Sequence, residues 1–390
     1  MNLSEFLESK PLYYTHIDYE RMPRIYKKIK KYFNLSKIIH LVGTNGKGTT
    51  GRFLAGALHN LGFNVGHYTS PHILKFNERI WMNANDVSDE ILEESHQKLQ
   101  NLLCQEERNA LSYFEYTTFL AMLTFNECEY IILEAGLGGM HDATAVFPKV
   151  LTLVTPISYD HESFLGSQIE DIAGEKLGAI QNHAILARQK HKEVYELAKQ
   201  LKESNSLDIM YVENMILQKD RVKIEEIKKN LSLAGYLKNN LELSIAALNF
   251  LKIEYKIESF REALLFGRLS KLGENILVDV GHNPLAAQSV VTSLKGEKYI
   301  LVYNSYEDKD YTKILNILQP IIDYVEIIEI KDKRIEKLQK LQRVLTDLKI
   351  KCHRFTAIQK NQKYLVFGSF KVVEAFLKEY DGQSLYSNDT

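Results

Sequence analysis

The stretch that most constrains the fold of this chain runs from residue 37 to residue 62. Its first part, KIIHLVG, is an apolar run with the length of one buried strand. Its last part, GTTGRFLAGALHNLG, has apolar residues at three- and four-residue spacing, which predicts a helix. Between them lies a glycine-rich loop, whose backbone N–H groups can bind an anion together with those of the helix start. The stretch therefore predicts a phosphate-binding loop on an α/β sheet.

The loop GTNGKGTT contains the residue types that nucleotide binding needs. Lys47 would reach the β- and γ-phosphates, and Thr49 or Thr50 could bind Mg²⁺ through a hydroxyl. The loop is a variant of the Walker pattern, because Leu41 stands where that pattern has its first glycine and Gly48 directly follows the lysine. A glycine-rich turn that holds no ligand is the alternative interpretation.

Apolar runs and helical patterns alternate through both halves of the 390 residues. Such alternation predicts right-handed βαβ crossovers and a parallel sheet covered on both faces. We expect two domains: a P-loop-type N-terminal domain with a mostly parallel sheet (1–265) and a smaller Rossmann-like α/β C-terminal domain (266–390). Residues 206–232 are charged and rich in β-favouring side chains, which predicts an antiparallel appendage.

Composition excludes several classes of protein. With 45% hydrophobic and 25% charged residues the chain is an ordinary globular one, and a formal net charge of -1 gives no field that would attract nucleic acid or an anionic membrane. Cys104, Cys128 and Cys352 are too widely spaced for a disulfide framework or a zinc site. The N-terminus does not resemble a signal peptide, and no apolar run approaches the ~18 residues of a membrane span. We expect a soluble, cytoplasmic protein with neither a nucleic-acid nor a membrane partner.

Two polar residues follow strands where a parallel sheet binds ligands, and a third, Lys176, lies in a helix. Glu134 ends the predicted strand 129–139, and a carboxylate there needs a cation such as Mg²⁺ or the partner of an ordinary salt bridge. His161 follows the predicted strand 150–158, and it is either a ligand or a structural loop residue. Lys176 lies among small residues in a predicted helix, and its alternative interpretation is a solvated helix face.

Two further stretches are compatible with more than one interpretation. HYTSPHILKFNERIWMN (67–83) follows a strand and contains Ser70, but it also fits a surface loop whose Phe76 and Trp81 pack back on the sheet. LVDVGHNPLAAQ (277–288) opens the second domain, where Asn283 could cap a helix that begins at Pro284. Capping and ligand binding can coexist at that turn.

The chain contains a set of short motifs in a fixed order. They are GTNGKGTT, YTSPHILKFNERI, FEYTT, EAGLGG, DAT, DHESFLG, AGEKLGAI, FGR, DVGHNP, DKD and VFGSF. The set runs from about Ile17 to Phe370 and resembles the folylpolyglutamate synthase and dihydrofolate synthase branch of the Mur ligase family.

This resemblance implies an ATP-dependent ligase that joins an acid to an amino acid. It would add L-glutamate to dihydropteroate, as a dihydrofolate synthase, and to reduced folates, as a folylpolyglutamate (tetrahydrofolate) synthase. The γ-phosphoryl group of ATP would convert the acceptor carboxylate into an acyl phosphate, which the glutamate amine attacks. ATP is then a co-substrate, Mg²⁺ the metal, with two ions expected, and a monomer the expected state.

The resemblance also implies roles for individual residues. The ATP contacts would be Gly43, Thr44, Asn45, Gly46, Lys47, Gly48, Thr49, Thr50, Asn240, Arg268, Asp279 and His282. Metal ligands would be Thr49, Ser70, Glu134 and His161. Contacts to the pterin would come from Ile17, Asp18, Phe114, Glu115 and Asp142. Catalytic residues would be Lys47, His161 and Lys176, the last as an N-carbamate made from CO₂ and the neutral amine.

Other functions remain open from the sequence. A Mur-type ligase acting on another carboxylate, such as a UDP-muramoyl precursor, is disfavoured because few residues precede the first sheet. A nucleotide-dependent switch without ligase chemistry would have no use for a carbamylated Lys176. A degenerate relative is a third alternative, since Met140 stands where the family commonly has arginine and Ala145 where it has asparagine.

Overall fold

A computed structural model describes residues 1–11, 18–34 and 36–382, which form two compact units. The first unit contains Met1–Leu233 and Leu237–Leu264. The second contains Ala234–Tyr236 and the chain from Leu265 onward. Each unit is built on its own sheet, and the two are described separately.

The first unit contains an eight-stranded sheet with the order β4-β3-β2-β5-β1-β6-β7-β8. In chain order the strands are β1 (Lys37–Val42), β2 (Val65–Tyr68), β3 (Ile80–Met82), β4 (Asn85–Asp86), β5 (Tyr130–Glu134), β6 (Leu151–Val154), β7 (His183–Leu186) and β8 (Asp208–Tyr211). Strands β3 and β4 pair antiparallel at one edge, and the other six are parallel. The predicted fold class is therefore confirmed.

The centre of this sheet positions the candidate site. Strand β1 lies between β5 and β6, with Leu41 level with Glu134 and Val42 level with Val154. Because the three strands are parallel, the segments that follow them emerge at the same edge. The glycine-rich loop, the end of β5 and the loop after β6 are thereby brought together.

Helices cover both faces of the sheet. In chain order they are α1 (Leu3–Glu8), α2 (Arg21–Ile29), α3 (Lys47–Asn60), α4 (Asp89–Leu102), α5 (Gln105–Ala110), α6 (Tyr113–Thr124), α7 (Glu162–Leu165), α8 (Ile169–Leu177), α9 (Lys192–Asn205), α10 (Val212–Met215), α11 (Gln218–Asn230) and α12 (Leu237–Phe250). Helix α3 is buried from Gly48 to Leu58 because it packs against β5 on one side and α12 on the other. Short 3₁₀ turns occur at Lys30–Tyr32, Phe76–Arg79, Ala143–Val146 and Ile257–Phe260.

Two sequence-based expectations for this unit are wrong in part. Residues 206–232 form no antiparallel appendage: β8 adds to the sheet parallel to β7, and α10 and α11 follow it. Residues 67–83 are more than a surface loop, since Ile80–Met82 pairs with β2 as strand β3. The expected packing of Trp81 is confirmed, because only 5% of its surface is exposed.

The second unit contains a six-stranded sheet with the order β13-β12-β11-β14-β10-β9. Its strands are β9 (Ser270–Leu272), β10 (Ile276–Asp279), β11 (Tyr299–Tyr303), β12 (Ile322–Ile327), β13 (Cys352–Arg354) and β14 (Tyr364–Phe367). All pair parallel except the edge strand β9. The helices are α13 (Pro284–Ser293), α14 (Tyr311–Leu318), α15 (Leu338–Asp347) and α16 (Phe370–Gly382), with a 3₁₀ turn at Gln319–Ile321.

In the parts of the chain that the structure describes, no helix is both long and apolar enough to cross a membrane.

Candidate active site

The glycine-rich loop makes a tight connection from β1 to α3. Gly43 and Gly46 have φ values of 136° and 91°, a region that favours glycine. A Cβ atom on Gly43 would clash with Thr155, which follows β6. Thr44 ties the loop to the same neighbouring segment, since its N–H donates to Pro156 O (3.0 Å) and its hydroxyl to Ser158 O (2.9 Å). The loop therefore has one defined shape at the edge of the sheet.

Lys47 begins α3 and folds back over the loop. Its Nζ donates to the carbonyl oxygens of Gly43 (3.1 Å) and Thr44 (3.4 Å), and it lies 4.0 Å from Oε1 of Glu134. This places a cation beside the loop's N–H groups, next to a carboxylate. The salt-bridge interpretation of Glu134 and its predicted place at the ligand edge are thus compatible.

Glu134 is almost fully buried, and its other oxygen is held in place by the chain after β2. Oε2 accepts from the Thr69 hydroxyl and from the Ser70 N–H (3.2 Å). The structure thus brings together Ser70 and Glu134, two of the residues that the resemblance implies as metal ligands. Thr69 is a member of this group that sequence reasoning missed, although its place beside Ser70 in YTSPH was a usable signal.

Two hydroxyls of α3 are buried beside the loop. Oγ1 of Thr49 and Oγ1 of Thr50 have no hydrogen-bond partner among the described residues. Buried hydroxyls are normally satisfied, so an orphaned pair next to a phosphate loop indicates a missing polar partner. Within 1–11, 18–34 and 36–382, no three His, Cys, Asp or Glu side chains form a metal-binding group. A metal here would depend on hydroxyls as well as Glu134.

Asn240 reaches the loop from α12. It is 7% exposed, and its side-chain amide packs directly against Gly46. One turn further on, Ser244 donates to the Thr50 carbonyl oxygen (2.9 Å) and so fixes α12 on α3. The family resemblance implies that Asn240 contacts ATP, and the structure places it at the phosphate loop.

Lys176 lies in α8 and is 4% exposed, so the solvated-face interpretation is wrong. Burial and, to a smaller extent, the Lys47 charge lower the pKa of its amine to about 7, although the charge of Asp160 opposes the shift. His161 stands next to Asp160 in a left-handed conformation (φ 54°), with its Nε2 4.0 Å from Oδ2 of Asp160. The charges of Lys47 and Asp160 thus both act on the Lys176 amine, in opposite directions.

The predicted pterin residues lie on α6 and on the turn after β5. The ring of Phe114 stacks on Tyr68 at 5.7 Å and covers Gly136, where a Cβ atom would lie 2.7 Å from the ring. Asp18 precedes α2 and accepts from the Glu20 N–H (3.0 Å). Ile17 lies outside the described residues.

Two of the three predicted pterin carboxylates, Asp142 and Glu115, have several partners within the chain. Asp142 accepts from the N–H groups of Gly136 (2.9 Å) and Leu137 (3.0 Å) through one oxygen and from the N–H and hydroxyl of Thr144 through the other. Glu115 pairs with Arg21 (2.9 Å) and accepts from the Ser112 N–H (2.7 Å). Since a carboxylate has about four acceptor positions, Asp142 is saturated by its own turn.

The second unit gathers its predicted residues around β10. Asp279 is buried and accepts from the Tyr236 hydroxyl (2.7 Å), Leu269 N–H (2.9 Å) and Gly281 N–H (2.8 Å). Burial raises the pKa of its carboxyl group, and these donors and Arg268 oppose the shift. The guanidinium of Arg268 lies 5.4 Å from the centre of the Phe370 ring. Tyr236 and Phe370 carried no sequence signal for these contacts, because both are distant in sequence.

The turn after β10 contains a helix cap, Asn283, and a predicted ATP contact, His282. Asn283 caps α13 by accepting from the Ala286 N–H (2.9 Å), and Pro284 is the first helical residue, so this prediction is confirmed. His282 directly precedes the cap, and its Nδ1 lies 3.2 Å from Val280 O.

Comparison with known proteins identifies relatives over most of the chain. No protein-family model matches it. The dihydrofolate synthase/folylpolyglutamate synthase of Haemophilus influenzae is 31% identical over 345 residues, which cover 78% of this chain and 77% of that protein. The Bacillus subtilis protein of the same name is 29% identical over 321 residues, covering 73% and 74%.

Solved structures agree with this result. The folylpolyglutamate synthetase of Helicobacter pylori is 38% identical, with a TM-score of 0.79 and 98% of both chains covered. Escherichia coli FolC in complex with DHPP and ADP shares the fold at 24% identity, with a TM-score of 0.80 and 98% of both chains covered. The chain thus belongs to the dihydrofolate synthase/folylpolyglutamate synthase family.

Proposed function

We propose that this chain is an ATP-dependent ligase that adds L-glutamate to dihydropteroate and to reduced folates. The γ-phosphoryl group of ATP moves to the acceptor carboxylate, forming an acyl phosphate and ADP. The amino group of L-glutamate then attacks the acyl carbon, and phosphate leaves as the amide forms. Family membership supports both activities.

The observation that carries this proposal is the arrangement at the ends of β1 and β5. The glycine-rich loop lies there together with the ammonium group of Lys47 and the carboxylate of Glu134. Nζ of Lys47 is 4.0 Å from Oε1 of Glu134. Lys47 stabilises the negative charge that builds on the transferring phosphoryl group, which is the largest contribution in such reactions. The N–H groups of the loop (43–50) and the amide of Asn240 orient the phosphates.

The residues at this edge fit Mg²⁺. The carboxylate of Glu134 and the hydroxyls of Thr49 and Ser70 are the hard oxygen donors that this ion prefers, and the buried Thr49 hydroxyl lacks a partner among the described residues. His161 would complete the set. When bound, the ion neutralises phosphate charge during transfer. The protein's own part is to keep Glu134 fixed through Thr69 and Ser70.

Lys176 acts in this proposal as an N-carbamate. CO₂ adds only to a neutral amine, and an amine with a pKa of about 7 is largely neutral under mildly alkaline conditions. The carbamate would place an anion near Lys47, whose charge disfavours a protonated amine at position 176. His161 directly follows Asp160, whose charge acts on the Lys176 amine.

The acceptor site is proposed to lie between α2, α6 and the turn after β5. Phe114 would face the pterin ring, with Asp18 and Ile17 contributing from the segment before α2. Glu115 would act on the pterin site through Arg21. Asp142 would act on it through the turn after β5, from whose N–H groups it accepts. Residues 1–265 would thus carry the phosphate, metal and pterin contacts.

The second unit, 266–390 in this proposal, contributes contacts to ATP and to glutamate. Arg268 would bind phosphate, His282 would lie near the nucleotide, and Asp279 would accept from a ribose hydroxyl. Asp279 has three donors in the structure, which leaves one acceptor position on Oδ1.

We also propose that the protein is a cytoplasmic monomer. The three cysteines are free thiols in the structure, as is usual in a reducing compartment. The monomeric state rests on the family resemblance.

The test is an assay of purified protein with ATP, Mg²⁺ and L-glutamate. Phosphate release is measured with dihydropteroate and, separately, with tetrahydrofolate, and mass spectrometry identifies the products. We expect glutamate-dependent release with both acceptors and one added glutamyl group on each. Activity with one acceptor only would limit the proposal to that activity, and ATP binding without ligation would refute it.

A further inference from the structure

The turn between β5 and Asp142 is attached to α8 through the side chain and the backbone of Glu175. We call residues 136–142 the glycine turn. Oε1 of Glu175 accepts from the N–H groups of His141 (2.9 Å) and Gly139 (3.4 Å), and Oε2 pairs with Nδ1 of His141 (2.9 Å). The Glu175 carbonyl oxygen also accepts from the Met140 N–H (2.8 Å). Three successive residues of the turn are therefore bonded to one residue of the helix.

The turn and the helix are packed without spare room. A Cβ atom on Gly138, which has a φ of 77°, would lie 2.8 Å from Oε1 of Glu175. A Cβ atom on Gly139 would lie 2.9 Å from the Lys176 carbonyl oxygen. The two glycines thus let the turn approach α8 closely enough for Glu175 to accept from its N–H groups. A shift of α8 would therefore move the turn, and a shift of the turn would move α8.

Glu175 connects three parts of the predicted reaction site. The glycine turn begins directly after Glu134 and its neighbour Ala135, and it ends at Asp142. Glu175 directly precedes Lys176 in α8. On the outer side of the turn, the His141 ring lies 4.5 Å from the ring of Tyr19, the residue after Asp18. One carboxylate therefore links the phosphate edge, the predicted acceptor residues and the helix that carries Lys176.

We infer that Glu175 is a positioning residue for the ligase reaction, which holds Lys176 in register with the glycine turn. The inference rests on the proposed function, because it assigns Lys176 and the turn to one reaction site. Glu175 acts through the backbone N–H groups of the turn.

The acceptor oxygen of Glu175 matters more than its charge, which raises the pKa of the Lys176 amine but is the smallest of the charges that act on it. The side chains of His141 and Glu175 are 42% and 20% exposed, and ion pairs exposed to that degree contribute little. The acceptor oxygen at Oε1 matters, because without it two N–H groups of a tight turn lose their partner. Glutamine keeps that oxygen and loses the charge, whereas alanine loses both.

The test compares three substitutions of Glu175 by the kcat and KM of glutamate ligation. Glu175→Ala should lower kcat by about 10²-fold, the effect of misplacing a reacting group by about 1 Å. Its KM for ATP should stay near the wild-type value, because the phosphate loop makes none of these contacts. Glu175→Gln should lose less than about tenfold in kcat, the equivalent of one hydrogen bond. Glu175→Asp should fall between them, because its shorter side chain withdraws the oxygen.

The matched control is Glu170→Ala, which removes an exposed glutamate from the first turn of the same helix. It should leave kcat near wild type. The inference is overturned if Glu175→Ala keeps wild-type kcat, or if Glu175→Gln falls as far as Glu175→Ala. If Glu175→Ala does not fold, wild-type kcat in Glu175→Asp overturns the inference. Absence of glutamate ligation by the wild-type protein would instead refute the proposed function.

Discussion

The side-chain amide of Asn240 packs against Gly46 so closely that a Cβ atom on the glycine would lie 2.5 Å from Oδ1. Asn240 thus closes one side of the phosphate loop from a helix that is nearly two hundred residues away in sequence. Gly46 is required there for two reasons: its φ of 91° and the position of the amide. The two reasons can be separated by experiment.

We predict that Gly46→Ala lowers kcat/KM for ATP by about 10²-fold, because the new methyl group displaces Asn240 or the loop. Gly62→Ala is the matched control, since Gly62 has a φ of 95° but no described atom within 4 Å of its Cβ position. It should cost about 1–3 kcal/mol of stability from backbone strain and leave ATP kinetics unchanged. Equal kinetic losses in both variants would contradict the assignment of Asn240 to the loop.

Activity should depend on CO₂ through Lys176. Because the pKa of its amine is lowered to about 7, chiefly by burial, the neutral form that reacts with CO₂ prevails above that pH and is lost below it. We therefore predict that kcat falls when CO₂ and bicarbonate are removed, recovers when bicarbonate is added, and declines on the acidic side of about pH 7.

Lys176→Arg cannot form the carbamate and should lose at least about 10²-fold in kcat. Lys192→Arg, at an exposed position of α9, is the control and should keep both the activity and its response to bicarbonate. Indifference of the wild-type protein to bicarbonate would argue that Lys176 acts as a free amine.

The ion pair between Glu115 and Arg21 should contribute to stability. Both side chains are about 10% exposed, so removal of the carboxylate takes the Glu115 ion pair away from a buried guanidinium. We predict that Glu115→Ala lowers the free energy of unfolding by about 3–5 kcal/mol. Glu94→Ala removes an exposed pair with Lys98 and should cost at most about 1 kcal/mol. Both values can be measured by denaturant unfolding.

The family resemblance assigns Glu115 to the pterin, and the same variants distinguish this role. A large rise in the KM for dihydropteroate with unchanged stability would favour direct contact with the substrate. A loss of stability that accompanies the change in KM would favour action through Arg21.

Much of the fold could be predicted because local pattern and final environment agree. Residues 37–60 read as strand, loop and helix, and they form these elements because the apolar residues of β1 and α3 are all buried. The prediction of an antiparallel appendage over residues 206–232 is wrong because their β-branched side chains favour a strand only in isolation. There α11 is fixed by tertiary contacts, in which Asp220 accepts from the Tyr255 hydroxyl (2.7 Å) and from Asn249 (2.8 Å).

The sequence likewise locates some residues of the candidate site and not others. Residues adjacent to strand ends, such as Glu134, could be located from the sequence because parallel strands share an edge. Their partners could not: Tyr236 lies 43 residues from Asp279 and Arg21 lies 94 from Glu115. Glu175 lies in the motif AGEKLGAI, but nothing in that motif indicates that its carboxylate accepts from the glycine turn.

A buried carboxyl group in the second unit should make stability depend on pH. Burial raises the pKa of Glu326, in β12, from 4.5 to about 7, and its Oε2 has no hydrogen-bond partner among the described residues. The folded state therefore holds its proton over a pH range in which the unfolded state has lost it. Stability should fall as the pH rises from about 4.5 to about 7 and level off above that range.

Glu326→Gln keeps the shape and has no proton to lose. Its melting temperature should exceed that of the wild-type protein by an amount that grows over the same pH range. Glu307→Gln, at an exposed position of the second unit, should show no such trend. A constant difference between Glu326→Gln and wild type at all pH values would contradict the assigned protonation.

The central claim is that ATP phosphorylates the acceptor carboxylate. The most direct test uses dihydropteroate whose carboxyl group carries a heavy oxygen isotope, incubated with the protein, ATP, Mg²⁺ and L-glutamate. Mass spectrometry then locates the label. We predict one heavy oxygen in the released phosphate for each amide formed. Unlabelled phosphate, with all of the label retained by the acceptor, would contradict the account.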